Sequence, residues 1–320
     1  MIRRALNISG RVLLALGVLI LLFAAYQLWG TGLAESHSQA TLRSTLDKEL
    51  PAGATARADR IAGRGTSGSS GTVRPGPARV AATTATPPAG QPIGIIQIPR
   101  IGMDQVLVQG VSTANLQAGP GHYPGTPLPG QMGNASVAGH RTTYGHPFFD
   151  LDQVGPGDKI VVTTAQGIFV YTTTSQAVVS PADVAVIQAT ATPQLTLTTC
   201  NPRYSASQRL VVKARLTGST LFGPAGRPGA TTTTTAPARR ELAGTGTATG
   251  LAGDGATGNA GRWVEAALLA VATVAVAVAV WLAGRRVRHR WAVYLPGAVA
   301  VLVVLFFFFT VVSPLLPATY

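Results

Sequence analysis

Hydrophobic positions along this 320-residue chain follow two patterns: long unbroken runs towards its ends, and short runs cut by turn residues in its middle. Residues 12–29, VLLALGVLILLFAAYQLW, are uncharged and follow Arg3, Arg4 and Arg11. Such a run meets the approximate length of a bilayer-spanning helix, and Tyr26 and Trp29 suit the far interface. A cleaved signal peptide would have a core of about 7–15 residues and a small-residue cleavage site; neither fits, so an uncleaved anchor is expected. Residues 263–283, WVEAALLAVATVAVAVAVWLA, carry one acid, and 291–316 carry no charge. Between them GRRVRHR, 284–290, has four arginines. Cytoplasmic loops gather Lys and Arg, so this loop and the N-terminus, residues 1–11, are both placed inside. The pattern predicts a multi-pass protein of the cell membrane with three transmembrane helices, its chain outside from about residue 30 to 262.

The middle of the chain reads differently. IGIIQI (93–98), QVLVQG (105–110), NASVAG (134–139), KIVVTT (159–164), GIFVYTTT (167–174), QAVVS (176–180), QLTLTTC (194–200) and RLVVKARL (209–216) are short and β-branched. PGTPLPG, GPGD and AQG separate them. Eight such runs predict an all-β domain over 92–216, closed as a barrel or sandwich, with short helical turns near 112–117 and 181–189. Residues 30–50 read as a partly helical continuation of the anchor, completing an outer linker over 30–91 with 51–90, which lacks apolar periodicity. Residues 217–262, with TTTTT and GTGTATG, read as a second linker.

Composition agrees with this division. Apolar residues make up 46% and charged residues 12%, against about 25% charged in a soluble protein. The net charge of +13 is partly topological, and no outer stretch clusters Lys and Arg, so no nucleic-acid partner is expected.

One cysteine stands in the whole sequence, Cys200, where TLTTC ends. Alone, a cysteine is most often a small buried hydrophobe. As a nucleophile it must ionise, from a free pKa of about 8.5, and a nearby imidazole can take or return its proton. Of the histidines, His37 lies beside the anchor and His289 in the basic loop, while His122 and His146 sit in Gly/Pro-bounded loops. His140 ends a strand, as Cys200 does. Arg209 opens the next strand and can steady an oxyanion; Arg203 is a rival donor. Each alone has an ordinary structural reading; together, beside strand termini of one small domain, they make a candidate site. Asp150, Asp152 and Asp158 read as turn and cap residues, and neither metal nor cofactor is expected.

TLTTC (196–200) with RLVV (209–212) resembles the signature of sortases, cysteine transpeptidases of Gram-positive cell surfaces. VAGHRTTYGHPFFDLDQVGPGDKI (137–160), GPGHYPGTPLPGQMGN (119–134) and IGIIQIPRIGM (93–103) are similar to the same family, most of all to actinobacterial class E. The resemblance implies an eight-stranded sortase barrel outside the membrane. It implies Cys200 as the nucleophile that cleaves an LAxTG-like signal between Thr and Gly, His140 as general acid then base, and Arg209 as holder of substrate backbone and oxyanion. It further implies that Tyr123 favours Ala in the signal. The partners implied are LAxTG-bearing secreted proteins, a peptidoglycan-precursor amine and the lipid membrane. A pilin-polymerising sortase and a non-catalytic surface binding module are the alternatives. LAGTG, 242–246, itself reads as an LAxTG string, which a linker of Ala, Gly and Thr also produces by accident.

Overall fold

The structure, a computed structural model, describes residues 10, 14, 17–64, 75–222, 260–286 and 291–312. They fall into two units, one from the chain ends (Met1–Thr31 with Ala256–Ala318) and one from Gly32–Gly255. Arg3, Arg4, Arg11, His289 and the LAGTG string lie outside the described residues.

The second unit is built on nine strands: β1 (Gly76–Pro77), β2 (Pro92–Ile98), β3 (Met103–Gln109), β4 (Gly121–His122), β5 (Asn134–Ala138), β6 (Lys159–Thr164), β7 (Gly167–Val179), β8 (Gln194–Asn201) and β9 (Gln208–Leu221). Their order is β1-β9-β7-β6-β2-β3-β4-β5-β8, and β8 also pairs with β9. That last pairing closes β2 to β9 into an eight-stranded barrel, with β1 extending one edge of β9. The count matches the expectation but the membership does not. Segments 167–174 and 176–180 are one strand, β7, whose register slips between Thr173 and Ser175. A bulge of this kind bends a strand without ending it. The eighth place goes to β4, two residues that bridge β3 in parallel and β5 in antiparallel pairing.

The barrel interior holds Ile96, Leu107, Val137, Phe169, Leu197 and Val212, none exposed. Each such side chain contributes roughly 1.5–3 kcal/mol by leaving water. Burial continues on parts of the outer face because helices cover it, which corrects the all-β class to a barrel with helices. α1 (Thr31–Leu46) falls in the stretch expected to be partly helical, whereas α2 (Ala54–Ala62) lies in 51–90, expected to be a flexible linker. α2 sets Ala58, Ile61 and Ala62 against Val161, Ile168 and Val170 of β6 and β7. One isoleucine among alanines is too sparse a stripe to stand out in sequence. α1 contributes Gln39, whose Nε2 donates to the carbonyls of Val106 (3.1 Å) and Ala118 (2.8 Å) while its Oε1 accepts from Val106 N (2.7 Å). Because β4 is so short, Val106 has no strand on that side, and the side-chain amide serves as a substitute peptide. The expected short turns are present as α3 (Thr113–Ala118), capped by the Ser112 hydroxyl, and a 3-10 turn at Val184–Ile187.

In the first unit, α4 (Ala260–Arg286) and α5 (Trp291–Val312) are long and apolar. Among the described residues two helices meet the length and hydropathy of a membrane span, Trp263–Arg286 and Val293–Val312, rather than the three expected. Of the first apolar run, 17–25 is helical and Tyr26–Gly30 is a π segment. Phe23 meets Phe309 of α5 edge-on and Tyr26 meets it at a tilt, with ring centroids 5.1 and 5.6 Å away.

Candidate active site

The β8–β9 ladder fixes the surroundings of the lone cysteine. Its antiparallel register sets Cys200 directly opposite Arg209, one pair before the ladder ends at Asn201↔Gln208. Directly opposed residues share a face, with Cβ atoms about 4.5–5.5 Å apart. On its other side β8 runs parallel to β5, from Asn134↔Gln194 to Ala138↔Thr198. Gly139 N still donates to Thr198 O (3.1 Å), and Thr199 Oγ1 donates to Gly139 O (2.8 Å). Two residues past the last pair, His140 leaves β5 at the end of the barrel where Cys200 leaves β8. A side chain at Gly139 would meet the Phe148 ring at 2.6 Å, so the strand end can pack this closely only with glycine there.

Cys200 is half-buried, and burial pushes its thiol up from the ordinary value of 9.0, while the Arg209 and Arg141 charges pull it back. Desolvation lowers the His140 imidazole to about 4. Although His140 is partly exposed as a residue, its Nε2 is enclosed and has no hydrogen-bond partner. Its ring lies 5.2 Å from that of Tyr144, whose hydroxyl accepts from Gln117 Nε2 at 3.2 Å. Tyr144 and His146 both take positive φ (48° and 39°), so the loop after His140 holds a strained turn. Both groups thus rest neutral near neutral pH.

Arg209 is 7% exposed and its Nη1 donates to the carbonyls of Ala206 and Gln208, both at 2.9 Å. The rival Arg203 is committed elsewhere: Nη2 pairs with Asp150 and Asp152 at 3.0 Å, and its guanidinium lies 4.3 Å from the Phe149 ring centroid. The three aspartates read as turn and cap residues do stand in turns: Asp158 accepts from Gly155 N at 2.8 Å, Asp150 is the N-cap position of a 3-10 turn at Leu151–Gln153 and Asp152 lies within it, while the carboxylates of Asp150 and Asp152 also pair with Arg203. Tyr123 is 2% exposed, and its hydroxyl is 3.0 Å from Thr198 Oγ1, two residues before Cys200. His122 is structural, fully buried between Gln109 Oε1 (2.9 Å) and Pro127 O (3.0 Å). Sequence reasoning missed Arg141, 4% exposed, whose Nη1 donates to Cys200 O at 3.2 Å. Its only sequence signal is its place beside His140. Among the described residues no cluster of His, Cys, Asp and Glu has the makings of a metal site.

A sortase-domain family model matches residues 96–217, the strand-bearing region. Sortase SrtE1 of Streptomyces coelicolor is 30% identical over 224 residues, 65% of this chain and 56% of the relative. The sortase-like YwpE of Bacillus subtilis is 33% identical over 88 residues, 27% of this chain and 86% of its own length. The chain belongs to the sortase family. Among solved structures, sortase E from Streptomyces avermitilis is 36% identical over 43% of this chain and 97% of its own, with a TM-score of 0.39. The class E resemblance of the motifs agrees with the class E relatives found, and this sortase spans a little over half, 56%, of SrtE1.

Proposed function

We propose that this sortase is a membrane-held cysteine transpeptidase that cleaves an LAxTG-like signal between Thr and Gly and passes the acyl group to a cell-wall precursor amine. The observation that carries the reading is the pairing of Cys200 with Arg209 at the strand end where His140 also emerges. In the first half-reaction the thiol proton moves to His140 and Sγ attacks the threonine carbonyl carbon. Arg209 stabilises the oxyanion with charge already in place, as preorganised donors do. The C–N bond breaks, His140 returns the proton to the glycine nitrogen, and a thioester remains on Cys200. In the second half-reaction His140 takes a proton from the acceptor amine, whose nitrogen attacks the thioester; the C–S bond breaks, and the released thiolate takes that proton from His140, restoring the neutral pair. Tyr123, hydrogen-bonded to Thr198 two residues before Cys200, shapes the subsite that favours Ala over Pro.

The domain works outside the membrane, held by residues 12–29 at one end and by α4 and α5 at the other. Arg285 and Arg286, in the last turn of α4, support an inward-facing hairpin. The clients are secreted proteins carrying the signal.

The test uses the full chain in detergent, because α1, α2 and β1 lie outside 92–216 yet belong to the barrel unit. A quenched LAxTG peptide with a diamino-acid acceptor should be cut at Thr–Gly and joined to the amine, with an LPxTG peptide processed more slowly. Cleavage at another bond, or none, contradicts the reading; faster LPxTG turnover contradicts the role given to Tyr123.

A further inference from the structure

Parallel strands exchange hydrogen bonds at every second residue. After Gly139 N to Thr198 O, the next bond donated from the β5 side would run from the amide of residue 141 to Cys200 O. β5 ends at Ala138 before that bond can form. The acceptor is met instead by the side chain of the same residue: Arg141 Nη1 lies 3.2 Å from Cys200 O and 3.2 Å from Asn201 Oδ1. Its Nε donates to Phe149 O at 3.2 Å, and Phe148 N next to it donates to His140 O at 3.1 Å. Nη2 pairs with Asp152 at 2.9 Å. One planar fork therefore joins the backbone of Cys200 to the loop that carries His140.

Arg141 is 4% exposed, whereas Asp152, its charge partner, is 44% exposed. Removing a guanidinium from water is costly unless each donor is matched, and a stable loop alone would be served as well by an apolar side chain. Arginine does what an apolar residue cannot: it offers several donors in fixed geometry and a permanent charge beside the thiol.

We propose that Arg141 is a positioning residue for this reaction, taking over from β5 the bonds that fix the Cys200 backbone beside His140. The inference rests on the transpeptidase reading above, and adds to it a second cation near the sulfur. The charged and titratable groups that act on that sulfur are Arg209 from β9, Tyr123 after β4 and Arg141 after β5; Asp152 and Arg203 flank Arg141.

The experiment follows iodoacetamide alkylation of Cys200, the single thiol, against pH, alongside kcat and KM for the LAxTG peptide, in the full chain. Arg141→Gln should lower kcat about 100-fold, the cost of a misplaced reacting group, with KM within about twofold. It should also move the alkylation midpoint up by about one unit, because a cation near the thiolate is lost. Arg141→Lys should keep the midpoint near wild type yet lose kcat, since an ammonium has no fork. Asp152→Asn should move the midpoint down, since it leaves the Arg141 charge less neutralised. Wild-type kcat and midpoint in both Arg141 variants overturn the proposal. So does a loss of activity that only tracks the unfolded fraction seen by circular dichroism, with the midpoint unmoved. If Arg141→Gln does not fold, Asp152→Asn decides: a midpoint that stays or rises overturns it. If the wild type cleaves nothing, the transpeptidase reading falls, while the alkylation midpoints still decide whether Arg141 governs the reactivity of Cys200.

Discussion

Cys200→Ala is expected to abolish Thr–Gly cleavage, a loss of at least about 10⁴-fold in kcat, while the protein stays folded. Loss of a covalent nucleophile leaves only what binding and charge stabilisation supply, which for a comparable covalent site is about 10³–10⁴ over water. No second thiol exists to stand in. The fold should tolerate the change because Cys200 stands at a strand end, half-buried, outside the main core. A packing role predicts the reverse, a clear fall in Tm with activity retained. Thermal denaturation and peptide turnover, measured on one preparation, separate the two.

His140→Ala should cost about 10²–10⁴-fold in kcat, the range for a lost general acid–base. The pH profile makes the test specific. With the imidazole lowered to about 4 and the thiol raised above 9.0, the pair holds one transferable proton over the whole interval between. The wild-type kcat/KM should be flat near neutrality and fall only as pH drops towards about 4, where His140 becomes charged and can no longer take the thiol proton. In His140→Ala that plateau should be replaced by activity rising with pH, as thiolate forms without help, and added imidazole should restore part of the rate. A variant with the wild-type profile would remove His140 from the chemistry.

Much of the barrel was legible because its strands are β-branched runs between glycine and proline turns. Three features were hidden for physical reasons. β4 is two residues long, below any periodicity, and is defined by its neighbours' free edges. The two halves of β7 look like separate strands because SQ follows TTT, and only the pairing with β9 shows that the ladder continues through a bulge. α2 presents a small apolar face that gains its meaning from the sheet beneath it. At the site, Cys200 and Arg209 were recognisable from their places at strand ends, but their opposition depends on a register that a six-residue turn sets. Nothing in the spacing separated Arg209 from Arg203; Asp150 and Asp152 did, by engaging Arg203. Arg141 was invisible for a similar reason, since a buried arginine is told from an exposed one only by the carbonyls that surround it.

Intact-mass measurement of the full-length protein, mixed with an LAxTG peptide without an acceptor amine and quenched in acid, tests the central claim most directly. The account predicts a protein heavier by the peptide up to its threonine, with the added mass on Cys200, removed by hydroxylamine and absent in Cys200→Ala. A wild-type protein of unchanged mass that still cleaves the peptide, or an adduct on another residue, would contradict it.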